Sequence, residues 1–295
     1  MQHWIKLWLI VVCVVALASI IASSVGALLW RRDTYRMVEA LGHERHIGAD
    51  TSASHIFSRE ELAGLPGPVI RYFEFALTAG QPLISRARLR QTGDFAMRPG
   101  SWSSFTATEY VSVHPVGFIW DARIRVMPLL DAYVHDGYIA GEGRMRGKVA
   151  AVVPVVNEGG TSEMASGELM RYLCEAAWFP TALLPSAGVS WRGVDDSTAV
   201  ATLADGSATV SVDVHFGKNG EILRTEAMRY RTVNGSSVLT AWVGHFSEYK
   251  RSGNMMIPSK ATVEWMLHDT PSPYWRGEIV RADYDFVTPA LSPSL

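Results

Sequence analysis

The chain has 295 residues, of which 48% are apolar and 19% are charged, and its formal net charge at pH 7 is −2. This composition supplies enough apolar material for a large core and shows no sign of global disorder. The balance of 27 basic against 29 acidic residues argues against a nucleic-acid-binding protein, which would usually carry a basic domain or patch.

The first recognisable element is an uncharged segment of 24 residues from Leu7 to Trp30. About 20 apolar residues are enough to cross a bilayer core. Tryptophans stand near both ends, where interfacial aromatic side chains are expected: Trp4, Trp8 and Trp30. The segment predicts a single-pass anchor in the cell (inner) membrane, residues 1–32, with membrane contact through residues 7–30. A cleaved signal peptide is the alternative, with the small residues 22–24 as its cleavage site.

Charges on either side of this segment bear on its orientation. Lys6 precedes it, whereas Arg31, Arg32 and Arg36 follow it. Counted alone, these residues favour a cytoplasmic position for the carboxyl-terminal side, because positively charged flanks tend to stay in the cytoplasm.

Residues 33–57 are predicted to prolong the helix for a few turns and then to form a linker at "IGADTSAS". Ser58 and Glu61 have the spacing of a capping box, which predicts a short helix there. A further helix is expected to start at Pro66 or Pro68, since proline favours the first turn of a helix.

From Ile84 the apolar period changes to two, which indicates β-strands. The first series of strands is predicted at residues 84–97, 101–114, 117–127, 130–141 and 144–155. A second series follows, and its clearest member is "SATVSVDVHF", in which apolar and polar side chains alternate. Turn sequences rich in Gly and Asn separate the strands.

These elements predict an α+β fold with a single β-rich domain at residues 58–287 and a disordered tail at residues 288–295. Roughly twelve antiparallel strands are expected to form a strongly curved sheet, a half-open barrel, because curling limits exposed edges. The sheet is predicted to wrap a central helix, and the transmembrane helix precedes the domain.

The central helix is predicted within "GELMRYLCEAAWFPTALLP", with Ser162 or Ser166 as its N-cap. It is mostly apolar but carries one polar stripe at helical spacing: Glu168, Arg171, Tyr172 and Glu175. Two interpretations stay open. The stripe is a surface ion-pair ladder in which Arg171 pairs with both glutamates, or it borders a cavity in which Arg171 binds an anionic group.

Sequence motifs for catalysis, cofactors and metals are absent. "GVSWRG" lacks the second glycine of G-x-S-x-G, and the sequence has no phosphate-binding or dinucleotide-binding loop. Only His43 and His46 lie within four residues of each other, without the spacing of a zinc site. We therefore expect no metal and no cofactor, and we assign no catalytic residue.

Tryptophans are spread over the strands and the central helix: Trp120, Trp178, Trp191, Trp242, Trp265 and Trp275. They either fill a β core or line an apolar cavity, as in barrels that hold lipophilic ligands.

One run, R-Y-L-x-E-x-x-W-F-P-T-A-L-L, begins at Arg171. Together with "GFIWDARI", "DAYVHDGYIAGEGRM", "VSWRG", "MIPSKATVEW" and "YWRGEIV", it resembles a family of bacterial, membrane-anchored proteins that has no established activity. The resemblance covers about residues 60 to 287. At the level of the fold, the chain is similar to the half-open barrels of bacterial lipoprotein carriers, in which a curved sheet wraps helices and binds acyl chains. That resemblance implies an extracytoplasmic domain.

The leading hypothesis is a membrane-tethered module that binds a lipid or another hydrophobic ligand. The expected ligand-binding residues lie at the opening or in the apolar wall: Glu168, Arg171, Tyr172, Glu175, Trp178, Trp120, Trp191 and Arg276. The expected partners are the membrane and the ligand; no nucleic acid is expected, and the residues do not identify a protein partner.

Two other functions stay open. A hydrolase-like or isomerase-like enzyme would use Glu168 or Glu175 as general acid or base, with Arg171 stabilising an anionic intermediate. It would also need Arg276 or Asp283 near the central helix. An envelope assembly factor would instead bind proteins through an exposed apolar patch.

Overall fold

A computed structural model describes residues 2–42, 55–98 and 100–287, which form three α-helices and thirteen β-strands. The predicted linker and tail, residues 47–54 and 288–295, lie outside the described residues. The helices are α1 (Gln2–Gly42), α2 (Gly67–Ala76) and α3 (Ser162–Glu175). A short 3-10 helix at Arg59–Leu62 precedes α2, and three more follow α3 at Ala176–Trp178, Pro180–Leu183 and Pro185–Ala187.

The strands precede and follow α3. Those before it are β1 (Ile84–Arg98), β2 (Ser101–Ser112), β3 (Gly117–Met127), β4 (Leu130–Ile139), β5 (Glu142–Val149) and β6 (Val153–Gly159). Those after it are β7 (Ser190–Gly193), β8 (Thr198–Asp205), β9 (Ala208–Phe216), β10 (Ile222–Val233), β11 (Ser236–Ser252), β12 (Met255–Leu267) and β13 (Thr270–Phe286).

All thirteen strands belong to one antiparallel sheet, in the order β6-β5-β4-β3-β2-β1-β13-β12-β11-β10-β9-β8-β7. Pairing of β1 with β13 joins two meanders, and the unpaired edges among the described strands are β6 and β7. The sheet is therefore not closed. Because α3 contacts β4 and β5 of one meander as well as β9 and β10 of the other, the sheet curves around it as the predicted half-barrel.

The sheet has thirteen strands rather than about twelve, and one cause is the predicted strand at residues 144–155. The structure divides this segment into β5 and β6, and the turn between them holds Ala150 and Ala151 at φ of 53° and 59°. Alanine rarely adopts this left-handed conformation, so the turn carries no sequence signal from Gly, Asn or Pro.

The alternating strand pattern is confirmed where it was clearest. In β9 the side chains of Ala208, Val210, Val212, Val214 and Phe216 are buried. The residues between them face outward, because successive side chains in a strand point to opposite faces of the sheet.

Two helix caps predicted from the sequence are wrong. Thr161, rather than Ser162 or Ser166, caps α3 by accepting a hydrogen bond from the Met164 amide at 3.2 Å. The expected capping box of Ser58 does not form, because Glu61 instead accepts a hydrogen bond from the Ser186 amide at 2.8 Å. Tertiary contacts outcompete the local pattern at both positions.

One end of the half-barrel is packed solid. On α2, Val69, Tyr72 and Phe73 are fully buried, and the 3-10 helices after α3 fill the space beside them. The Thr181 hydroxyl accepts a hydrogen bond from the Ile84 amide at 3.0 Å, and the Tyr284 hydroxyl donates to the Trp178 carbonyl at 2.6 Å. These contacts fix the 3-10 segment to the central strands.

Helix α1 is the one helix in the described residues long and apolar enough to cross a membrane. It continues without a break to Gly42, so the predicted prolongation is confirmed. Residues 2–22 are exposed, whereas the following turns pack on the outer face of β2, β3 and β4. The helix is thus half free and half docked.

The docked half of α1 is held by a polar and aromatic contact. Trp30 Nε1 donates to Asp121 Oδ1 at 3.0 Å, and its ring stacks on His135 at 3.9 Å between centroids. Thr34 Oγ1 lies 2.8 Å from His135 Nε2. Burial lowers the pKa of His135 to about 3, with Arg146 adding to the effect, so the imidazole is neutral in this contact.

The buried position of Trp30 corrects one expectation. Its side chain is 3% exposed and packs against Tyr133 and Ala151, so it does not act as an interfacial tryptophan. The predicted membrane contact through residues 7–30 is therefore too long at its carboxyl-terminal end, where the sheet covers the helix.

Candidate ligand-binding site

A cavity of about 820 Å³ lies between α3 and the inner face of the sheet. Apolar and aromatic side chains from both meanders form its walls: Trp120, Ile124, Val134, Met145, Val263, Trp265 and Trp275. Charged side chains form its floor: Asp136, Glu168, Arg171, Glu175 and Arg229. The cavity exists because α2, α3 and the 3-10 helices fill only one end of the half-barrel.

Arg171 occupies the centre of this floor and joins two carboxylates. Its Nε donates to Glu175 Oε1 at 2.8 Å, and its Nη1 donates to Asp136 Oδ2 at 2.8 Å. All three side chains are 11–12% exposed. The guanidinium also lies over the rings of Phe118 and Trp120, 4.8 and 5.4 Å from their centroids, which favours the cation electrostatically.

Arg229 makes a second buried ion pair from the opposite meander. Its Nη2 donates to Glu168 Oε1 at 2.6 Å, and its Nε donates to the Gly167 carbonyl at 3.0 Å. Its guanidinium lies 5.2 Å from the centroid of the Trp242 ring. Because Glu168 is 3% exposed at its side chain, this pair is shielded from solvent.

A hydrogen-bonded chain continues below Arg171. Trp120 Nε1 donates to Gln91 Oε1 at 2.8 Å, and Gln91 Nε2 donates to Glu109 Oε2 at 2.8 Å. Glu109 is 1% exposed and lies close enough to Glu175 for the two carboxyl groups to affect each other's charge. The floor therefore contains four carboxyl groups and two guanidinium groups.

Burial and crowding shift the acidities of this cluster. Burial raises the pKa of Glu109 well above its usual value, and the adjacent Glu175 carboxylate adds to the rise. Burial likewise raises the pKa of Glu168 to about 7, with the negative charge of Asp136 contributing. Although burial opposes the charge of Arg171, the carboxylates of Glu175 and Asp136 raise its pKa well above the usual value.

Protonation reduces the negative charge of the floor. The raised pKa values favour the neutral, protonated form of Glu109 and, below about pH 7, of Glu168. Among the buried side-chain atoms of the described residues, Asp136 Oδ1, Glu168 Oε2 and Glu175 Oε2 have no hydrogen-bond partner.

The polar stripe predicted on the central helix divides in the structure. Glu168, Arg171 and Glu175 reach the cavity, and the predicted Arg171–Glu175 pair forms. The surface ladder is wrong, because the stripe is buried and Glu168 pairs with Arg229. Tyr172 is 2% exposed and packs against Phe179, away from the cavity lining.

Of the other predicted site residues, Trp120 lines the cavity. Trp178 is buried between Phe246 and Trp275, in the core at the end of the cavity.

Trp191 and Arg276 lie farther from the cavity than expected. Trp191 packs on Phe73 of α2 and donates to the Leu183 carbonyl, and Arg276 pairs with Asp94 at the surface. Neither Trp178, Trp191 nor Arg276 belongs to the lining.

Sequence reasoning missed Asp136, Arg229, Glu109 and Gln91. For Gln91, Glu109 and Arg229 a signal exists, because each stands on the inward phase of an alternating strand. Glu109, for example, follows Phe105 and Ala107 at intervals of two, so its side chain points to the inner face. A charged residue in such a phase indicates a buried polar contact, although its partner is not encoded locally. In β4 both faces are buried, so alternation does not single out Asp136.

The family of the chain follows from comparison with known proteins. A model described as a family of unknown function (DUF6920) matches residues 63–284. The chain belongs to DUF6920. The match agrees with the predicted extent of the resemblance, residues 60 to 287, whereas the R-Y-L run as its hallmark stays a prediction. No curated protein matches the sequence.

Two solved structures are among those similar to the DUF6920 chain. A LolA superfamily protein from Nitrosomonas europaea has a TM-score of 0.43 and 9% identity, covering 75% of this chain and 93% of its own. A β-barrel-like protein of the DUF1849 domain of unknown function from Brucella abortus has a TM-score of 0.22 and 10% identity, covering 69% and 99%. Because both TM-scores are below 0.5, these two structures carry no argument about the fold. The assignment of a half-barrel depends on the strand pairing and on the contacts of α3 with both meanders.

The buried position of Arg171 predicts a large loss of stability when its charge is removed. Arg171→Met should lower the free energy of unfolding by about 3–5 kcal/mol, because it leaves the carboxylates of Glu175 and Asp136 without a cation. Arg276→Met is the control, with an expected loss below about 1 kcal/mol, since its pair with Asp94 is exposed. Urea unfolding of the full chain in detergent, followed by tryptophan fluorescence, measures both; equal losses would contradict a buried cluster.

The raised pKa of Glu168 predicts a pH-dependent stability. Between pH 4.5 and about 7 the folded chain holds a proton on Glu168 that the unfolded chain releases, so the free energy of unfolding falls as pH rises. The fall amounts to about 3 kcal/mol at most, at roughly 1.4 kcal/mol per pKa unit. Glu168→Gln keeps an acceptor for Arg229 and should flatten this dependence. Glu158→Gln, at an exposed carboxyl, should leave it unchanged; thermal unfolding from pH 5 to 8 decides.

Proposed function

We propose that the chain is a membrane-tethered binding module for a lipid or another hydrophobic ligand. The carrying observation is the cavity of about 820 Å³ with apolar and aromatic walls. Small-molecule sites typically have about 300–1,000 Å³ and combine such walls with a few polar groups. The buried floor of paired carboxyl and guanidinium groups supplies those groups here.

The floor also restricts which part of a ligand can reach it. Arg171 and Arg229 already pair with carboxylates, so neither presents an unpaired cation to a phosphate or carboxylate. A charged group placed there would lose its hydration without gaining a counter-ion. An acyl chain, or an uncharged polar group such as an ester or hydroxyl, suits the cavity, with any anionic headgroup at its opening.

Binding accounts for the site better than catalysis does. The pKa of Glu168 near 7 is what a general acid or base requires. However, Glu168 Oε1 is engaged by Arg229 and its Oε2 is buried, so neither oxygen presents itself to a reactant. The enzyme hypothesis would need Asp283 near the central helix. Asp283 instead pairs with Arg88 and Arg281 at the surface.

The tether is α1, whose uncharged segment begins at Leu7 and is exposed up to Ala22, with further exposed apolar residues up to Leu29. We infer that this segment stays uncleaved and that the domain is extracytoplasmic. A carboxyl-terminal alkaline phosphatase fusion should therefore be active, and the intact mass of the membrane-bound chain should include residue 2. An inactive phosphatase fusion together with an active cytoplasmic reporter would reverse the orientation.

The cavity predicts where a lipid will be found. The full chain is reconstituted with a phosphatidylethanolamine that carries a diazirine in its acyl chain, irradiated and digested. Cross-links are expected on the cavity-facing peptides of β3 to β5. Ala132→Trp fills the cavity from a buried position and should reduce those cross-links by about fivefold or more.

Two controls make this result specific. Thr209→Trp adds the same ring on the exposed face of β9 and should leave the cavity cross-links unchanged. Cross-links to residues 2–22 report lipid around the helix and should be equal in all variants. Cavity cross-links that are absent from the unmodified chain, or unaffected by Ala132→Trp, would remove the proposed function.

A further inference from the structure

Five hairpin connections lie at one end of the half-barrel. They join β1 to β2, β3 to β4, β5 to β6, β10 to β11 and β12 to β13. The first three share an end because their strands are consecutive antiparallel neighbours. The last two connections lie at the same end. β13 runs antiparallel beside β1, with Trp275 opposite Phe95, so the start of β13 lies beside the end of β1, and β12, β11 and β10 follow in order. We call this end the rim.

The rim exposes apolar side chains to an unusual degree. Leu129, at the β3–β4 turn, is 99% exposed and holds a positive φ of 65°, which aims an apolar side chain outward at a backbone cost. Other exposed apolar residues cluster on the same connections and strand ends: Met97, Val126, Met127, Val152, Val153, Val155, Val238 and Leu239. Apolar side chains concentrated at one end indicate a surface that something covers.

Helix α1 leaves the domain at this same end. Ser23 Oγ donates to the Ala150 carbonyl at 3.0 Å, and a Cβ at Gly26 would lie 2.6 Å from the Ala151 oxygen, so the helix touches the β5–β6 turn closely. Towards its other end, Leu41 packs near Gly117, at the opposite end of the strands. Residues 2–22 therefore project beyond the rim.

The geometry of α1 fixes how far the rim lies from a bilayer. The projecting residues include Lys6, and their uncharged part, the 16 residues from Leu7 to Ala22, has a helical length of about 24 Å, less than the hydrocarbon thickness of about 30 Å. The helix has no break between residue 22 and its first contacts with the sheet. No spacer is left, so a membrane that accommodates this uncharged segment must meet the rim.

The cavity reaches the rim as well, and its exposed lining continues from there along β6 to Thr161 at the start of α3. Its lining includes residues near the connections that are exposed to solvent: Met97, Val155, Gly235 and Ser237. The buried floor around Arg171 lies at its other end, where α3 and the 3-10 helices close the half-barrel. The opening of the cavity, the exposed apolar residues and the projecting part of α1 therefore lie at the same end of the half-barrel.

We propose that the rim rests on the lipid bilayer that α1 crosses, so that the cavity opens onto the membrane and exchanges its ligand with the nearer leaflet. This inference rests on the proposed function and on the tether. Leu129 and Val153 enter the interface, and a lipid chain passes between bilayer and cavity without crossing water. Such a route avoids exposing the apolar surface of the lipid chain to water, which is unfavourable.

The position of the rim is tested with the full chain in nanodiscs that contain nitroxide-labelled phospholipid. Leu129→Cys and Val153→Cys are labelled with a fluorophore in a Cys13→Ala background; Cys174 is buried and remains unlabelled. Leu223→Cys is the matched control, because Leu223 is also exposed but lies at the opposite end, where β10 begins. Quenching at residues 129 and 153 but not at 223 is expected. Equal quenching at all three positions overturns the proposal.

Exchange is tested separately from binding. The double variant Leu129→Glu, Val153→Glu should slow transfer of a fluorescent phosphatidylethanolamine from nanodisc to cavity by about tenfold, because the rim no longer enters the interface. Leu223→Glu should not. Both variants should retain the lipid cross-links of the unmodified chain in detergent. Loss of those cross-links from the unmodified chain refutes the proposed function, whereas normal cross-links with unchanged transfer refute the membrane-facing rim.

Discussion

Burial of six ionisable side chains beneath one cavity is the constraint on which the rest of the half-barrel depends. Charges removed from water are tolerated only when they are paired, so Arg171 and Arg229 each need carboxylates within hydrogen-bonding distance. Asp136 comes from the first meander and Arg229 from the second, and α3 supplies their partners. The helix thereby fixes the separation of the two meanders. Its polar face also cannot collapse onto the apolar wall, which keeps the cavity from being filled.

Aromatic rings complete this arrangement. Phe118 and Trp120 lie under one guanidinium and Trp242 under the other, so each cation contacts a ring face as well as a carboxylate. The same tryptophans form part of the apolar wall. The two interpretations of the tryptophans in the sequence, core filling and cavity lining, are therefore both realised, with Trp178 in the core and Trp120 at the cavity.

Local patterns predicted the elements well and the site only in part. Strand alternation located most of the sheet, and it failed at Ala150 and Ala151, whose turn conformation no residue type announces. Within the helix, the i, i+4 spacing gave the Arg171–Glu175 pair correctly. The partner of Glu168 is 61 residues away in sequence, and Asp136 is 35 residues from Arg171. Helical spacing cannot supply such contacts, since they depend on how the sheet curves. The same limit applies to Trp30. Its position in the sequence predicts an interfacial side chain, whereas the folded sheet buries it.

The docking of α1 bears on the distance over which the domain can act. A domain joined to its anchor by a flexible linker samples a volume set by the length of that linker. Here α1 itself is hydrogen-bonded to the sheet through Ser23, Trp30 and Thr34. If α1 crosses the bilayer as proposed, the domain turns with the helix and stays at a fixed height above that membrane. A ligand bound in the proposed site could then reach another membrane only through a partner that comes to the domain.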